Sequence, residues 1–245
     1  MKVRDFFKDF NAVKASYNID ESFLRGVIST AEAATRSAGD GIYIVDYINR
    51  KVVYVSSNIA RWCNMYSKKH SVDDYDKYFE YINEEDSRML DEINRVSFDF
   101  WKGMSDEECM NYTVSYDFQL GNAMLHQRYT PILVKDGYII MAMCILSPSQ
   151  SKRSGNIIMT SPENNYEHIY SLEKGEWLKV SKVCLSSREK EIIRSSVKGL
   201  SSTEIAEKNG TSDTTVKTQK RFLFKKLGVK TMSEAIRMAM NKGML

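Results

Sequence analysis

The spacing of hydrophobic positions changes several times along the chain, and each change marks an element. Val3, Phe6, Phe7, Phe10 and Val13 recur at helical spacing. Asp20 is placed to cap a second helix with Phe23, Leu24, Val27, Ile28 and Ala31 on one face, ended by Gly39-Asp40-Gly41. The period then shortens. Residues 42–46 and 51–56 are β-branched and aromatic runs on either side of Asn49-Arg50, which predicts a hairpin. Residues 58–100 read as helical: Ile59 and Trp62 on a short turn, then Tyr75, Tyr78 and Phe79, then a helix from Glu84 to Trp101. That last helix carries Met89, Leu90, Ile93, Val96 and Phe100 on one stripe. Three strands follow at about 111–119, 125–134 and 138–147, with turns at Gly121-Asn122 and Lys135-Asp136-Gly137. Residues 147–156, rich in Ser, read as a linker. Beyond it, 167–172 and 176–180 flank Glu173-Lys174-Gly175 as a small hairpin.

The last sixty residues carry the sharpest local signals. Ser186 precedes Glu189, Ser201 precedes Glu204 and Thr231 precedes Glu234, each at the spacing of a capping box. Ser212 before Asp213 offers a further N-cap. Gly199, Gly210 and Gly228 fall where helices end. Four short helices are predicted, at 187–198, 202–208, 213–227 and 232–241. The third has two faces. Val216, Leu223 and Leu227 lie on one narrow arc, while Thr214, Lys217, Thr218, Arg221 and Lys225 fill another. Together with the Asn209-Gly210-Thr211 turn before it, this is a helix-turn-helix pattern.

Charge sharpens the division. The net charge of +3 is the sum of two unlike parts. Residues 183–245 hold 13 Lys and Arg against 6 Asp and Glu, whereas the rest of the chain is slightly acidic. A basic module on an acidic body points to one domain facing a polyanion. Composition is that of a globular protein, 42% hydrophobic and 27% charged. No apolar run is long enough for a bilayer span, so no membrane partner is expected. The four cysteines form no CxxC pair. A disulfide framework is therefore not expected, and a reducing cytoplasm is the expected setting. No phosphate loop, nucleophile elbow, paired carboxylate signature or metal cluster stands out, so the chain is not read as an enzyme.

Residues 185–191 (Leu-Ser-Ser-Arg-Glu-Lys-Glu), 199–206 (Gly-Leu-Ser-Ser-Thr-Glu-Ile-Ala), Thr215-Val216-Lys217 and Lys226-Leu-Gly-Val229 resemble the LuxR-type helix-turn-helix domain. The resemblance implies a four-helix module whose third helix enters the major groove of double-stranded DNA and whose fourth can dimerise. By position it places Lys217, Thr218 and Arg221 at base edges. Thr203, Thr214, Thr215 and Lys225 fall at phosphates, and Glu191 at the family's buried acid. Asn209 and Thr211 replace an apolar pair around the turn, which implies a looser turn core. Gln219 stands where the family often has His, and a hydrogen-bonding role is expected for it.

Residues 40–46, 53–56 and 81–86, followed by three final strands, resemble a PAS domain in their order. That resemblance implies a pocket between sheet and helices and pairing through N-terminal helices. Tyr112, Tyr116, Phe118, Tyr129, Met141 and Met143 are the candidate pocket residues, and a packed sheet core accounts for them equally well. Cys63 is read as structural, and no His sits on the long helix where a haem ligand would be, so no cofactor is expected. The expected fold is α+β. It comprises N-terminal helices (1–38), a PAS-like antiparallel sheet with flanking helices (39–148), a linker with a β-hairpin (149–183) and an all-α LuxR-type domain (184–245). The expected function is a bacterial, homodimeric, sequence-specific DNA-binding regulator whose sensory domain takes an unidentified small molecule. Two alternatives stay open: a protein-interaction regulator with a non-DNA-binding helix-turn-helix, and a cofactor-binding redox or light sensor.

Overall fold

The computed structural model describes residues 17–62, 80–241 and 243–245, and the chain divides into two units, 1–180 and 181–245. The expected helix at 3–15 lies outside the described residues, as do Cys63, Tyr75, Tyr78 and Phe79.

In the first unit, helix α1 (Glu21–Ala38) starts where the Asp20 carboxylate accepts the N–H groups of Ser22 and Phe23, at 2.8 and 3.0 Å. It stops at Gly39, whose φ of +75° is a left-handed cap. Strands β1 (Gly41–Asp46) and β2 (Lys51–Val55) form the expected hairpin. Helices α2 (Ser57–Trp62), α3 (Glu84–Trp101) and α4 (Asp106–Met110) come next. Strands β3 (Thr113–Leu120), β4 (Ala123–Lys135) and β5 (Tyr138–Pro148) form an antiparallel meander. β5 closes on β1, so these five strands lie in the order β2-β1-β5-β4-β3. This is a PAS-like antiparallel sheet.

Both faces of that sheet are covered. Every residue of β1 is buried. Its side chains alternate: Tyr43 and Val45 enter the core that also holds Ile93 and Val96 of α3, while Ile42 and Ile44 pack with Ala31 and Leu24 of α1. A strand apolar on both sides reads as an unbroken run, as 42–45 does. The start of α3 is tied to the sheet. Asn83 caps it by accepting the Asp86 N–H at 2.8 Å, and the buried Asp86 carboxylate accepts the N–H of Gln119 on β3 at 2.7 Å.

The segment expected as a linker with a hairpin is built into the sheet. β6 (Gly155–Thr160) pairs with β3, and β7 (Tyr166–Ser171) and β8 (Glu176–Ser181) extend the sheet to eight strands. The linker signals are real only for the short crossover before β6. The crossover is held by one buried carboxylate: Asp117 on β3 accepts from Ser149 Oγ at 2.8 Å, Asn156 Nδ2 at 2.6 Å and His126 Nδ1 at 3.0 Å. Burial pushes the Asp117 carboxyl up, but these three donors more than offset it and hold the group below its ordinary value.

Gly41 lets β1 pass under α2, since a Cβ there would lie 2.6 Å from Trp62 and 2.7 Å from Ile59. Gly41→Ala is expected to lower stability by roughly 1–3 kcal/mol through overpacking, read as a fall in the denaturation midpoint.

Candidate nucleic-acid interface

The second unit consists of helices α5 (Ser187–Val197), α6 (Ser202–Lys208), α7 (Asp213–Leu227) and α8 (Met232–Asn241). All three expected capping boxes form. The Ser186 hydroxyl accepts the Glu189 N–H at 3.3 Å while Glu189 accepts the Ser186 N–H at 2.7 Å. Ser201 and Glu204 do the same at 3.3 and 2.7 Å, and Thr231 and Glu234 at 3.2 Å both ways. Ser212 accepts the Thr215 N–H at 3.1 Å and opens α7. Between α6 and α7 the turn is tight. Gly210 takes φ +61°, and the Thr211 N–H donates to the Ala206 carbonyl at 2.9 Å. The looser core expected from Asn209 shows only in its side chain, whose buried Nδ2 has no partner.

α7 is fixed by its inner side. Val216, Leu223 and Leu227 are buried with Ile192, Ile193 and Ile205. Its polar flanks add tethers: Lys220 Nζ donates to Ser202 Oγ at 2.9 Å, and Gln219 accepts from Arg188 at 3.4 Å. Lys226 pairs with Glu189 at 2.7 Å. The opposite face is solvated. Thr214, Thr215, Lys217, Arg221 and Lys225 are exposed and Thr218 is half-buried. Thr203 is exposed on the first turn of α6. Lys217 pairs with Asp213 at 2.7 Å, but its side chain is 68% exposed, so the pair is worth only about 0–1 kcal/mol and opens readily.

The candidate pocket residues separate. Between α3 and the sheet lies a narrow, partly open cleft lined by Asn94, Ser97, Phe98 and Trp101, facing Tyr116 and Tyr129. Tyr116 and Tyr129 were expected there. Tyr116 OH accepts from Gln127 at 2.6 Å, and Tyr129 OH donates to Tyr47 OH at 3.1 Å. Burial pushes both phenols well up, so they stay neutral. Ser97 Oγ and Trp101 Nε1 are buried with no partner. Met141 and Met143 must be corrected: they pack on the α1 face. Tyr129 pairs with Cys144, which therefore shares its face, and Met143 one residue earlier points the other way. Tyr112 stacks edge-on with Phe100 and Phe118 packs beside Tyr116, both outside the cleft. Sequence reasoning missed Ser97 and Trp101 as lining groups. The signal was present, since they lie four apart on one side of α3.

Residues 183–239 match the family model described as bacterial regulatory proteins, luxR family. This stretch is a LuxR-family helix-turn-helix domain. No protein with a curated description matches the chain. Among solved structures it is similar to a phage VqmA–DPO complex, at 15% identity over 91% of this chain and 89% of that one, TM-score 0.32. It is also similar to a Vibrio cholerae VqmA dimer in the absence of target DNA, at 13% identity over 90% and 88%, TM-score 0.27.

Within the LuxR-family domain, Glu191 is not buried as its counterpart was expected to be. It is 32% exposed and pairs with Lys208 at 2.5 Å and with the Ser195 hydroxyl at 3.1 Å, so it clamps α5 to α6. Those contacts, Lys208 first, hold its carboxyl below the ordinary value. For Glu189, burial pushes the carboxyl up, but Lys226 and the Ser186 donors outweigh it and the group also sits low. A carboxyl depressed on folding contributes stability that is fully present above its unfolded value of 4.5 and is lost as pH falls through the folded one. Glu189→Gln should therefore flatten the acid loss of the domain's helical circular dichroism below that pH. An unchanged acid limb would show that the Lys226 pair does not act this way. Among the described residues no helix is long and apolar enough to cross a membrane, and no cluster of three or more His, Cys, Asp or Glu is placed to hold a metal.

Proposed function

We propose that this LuxR-type regulator is a homodimer that binds double-stranded DNA in a sequence-specific way, modulated by a small molecule in the PAS-like domain. The observation that carries the reading is the outer face of α7. A buried apolar strip holds the helix against three others, and a largely exposed strip of Thr, Lys and Arg faces solvent, tied only locally through Lys217 to Asp213 and Thr215 to Ser212. Long donors on a protruding helix suit guanine O6 and N7 and the phosphates that flank them. Lys217, Thr218 and Arg221 are assigned to base edges. Thr203, Thr214, Thr215 and Lys225 are assigned to phosphates, Thr203 from the start of α6 beside the groove. Two such modules spaced one helical turn apart, about 34–36 Å, read a pseudo-palindrome.

On the sensory side, the cleft under α3 is packed too closely to admit even a water molecule as it stands, so a ligand has to part α3 from the sheet. The proposed ligand accepts hydrogen bonds from Ser97 and Trp101, whose buried donors have no partner in the protein.

Selection of duplexes from a random pool, followed by titration at fixed salt, tests the reading. Arg221→Ala and Lys217→Ala should each lower affinity and relax preference at one position, at about 1–3 kcal/mol per lost bidentate contact. Lys225→Ala should weaken all sequences alike and reduce the salt slope by about 1. Undiminished affinity and preference in the first two would remove those residues from the reading surface.

A further inference from the structure

The outer face of α7 holds one residue that neither the family pattern nor the basic strip accounts for. Phe222 is 59% exposed, in a helix whose other large apolar residues are buried or half-buried. We propose that Phe222 recognises thymine, by packing its ring on the C5-methyl group in the major groove. The inference rests on the DNA-binding reading above and adds to it a base that the cationic residues cannot read.

The helix period puts Phe222 beside Thr218 and Thr215, four and seven residues earlier. Lys217 and Arg221 lie towards the other margin of the same face. The face is thus two-toned, cationic donors on one side and a ring with two threonine methyls on the other. The Arg221 guanidinium carbon lies 5.5 Å from the Phe222 ring centroid, which holds the ring beside the residue assigned to guanine.

The surroundings decide the partner. A protein surface apolar enough to bury the ring would also strip water from Arg221 and Lys225 without supplying anions, which is costly. Duplex DNA meets both needs. Its phosphates and guanine acceptors take the cations, and thymine alone among the bases shows a methyl group in the major groove. Phe222 lies off the stripe of Val216, Leu223 and Leu227, so its removal leaves the core of the domain intact.

The full-length protein is first used to select a duplex from a random pool. The selected duplex is then titrated alongside copies in which each thymine in turn is replaced by deoxyuridine, a change that removes only the methyl group. One position per half-site should weaken wild-type binding about fourfold, the value of one buried methyl group. Phe222→Ala should bind the thymine and deoxyuridine forms of that position equally, with an unchanged melting temperature, while Phe222→Leu keeps part of the difference. Tight wild-type binding indifferent to every deoxyuridine overturns the inference and leaves the DNA-binding reading standing. So does a Phe222→Ala protein that keeps the full difference, or one that loses its dimer mass without DNA while discriminating normally. Failure to select any duplex overturns both.

Discussion

Burial of one strip of α7 is the constraint on which the candidate interface depends. Val216, Leu223 and Leu227 are buried against α5 and α6, and their burial fixes the rotation of the helix about its axis. Once that rotation is set, the direction of every other side chain follows from the 3.6-residue period. Turning α7 by one residue's angle would bring lysines inward and leave leucines in water, at about 1.5–3 kcal/mol for each large apolar side chain exposed. The tethers from Lys220, Gln219 and Lys226 sit at the margins of the buried strip and oppose the same turn.

The PAS-like unit follows a different logic. Its central strand is apolar on both faces because α1 covers one side and α2 and α3 the other. Two buried carboxylates bridge elements of this core. Asp86 joins the start of α3 to β3, and Asp117 joins β3 to the crossover before β6. By contrast, the Ser97 and Trp101 donors lie buried beside the narrow cleft without a hydrogen-bond partner in the protein, and the proposed ligand would meet them there.

Local chemistry was legible where it acted over three or four residues. Ser186 with Glu189, Ser201 with Glu204 and Thr231 with Glu234 each satisfy backbone donors within one turn, so the starts of α5, α6 and α8 could be read directly. The strand runs and their turns were equally plain, since Asp136 and Gly137 take the positive φ that their sequence suggests. Less was visible where partners are far apart in the chain. β6 follows a Ser-rich stretch and becomes a strand through its pairing with β3 and the Asp117 contacts, forty residues away in sequence. Met141 and Met143 looked like cavity residues because a buried strand shows no alternation to tell its two faces apart.

The sequence by itself determined the two-part organisation, the helix boundaries of the basic module and the residues of its cationic strip. Each of these depends on spacing within a turn or on summed charge. Only the tertiary structure decided that 155–181 completes the sheet, which pocket candidates share the cleft and that Phe222 stands in solvent. Those outcomes depend on which surfaces meet, and an apolar side chain carries no local mark of whether a partner will cover it.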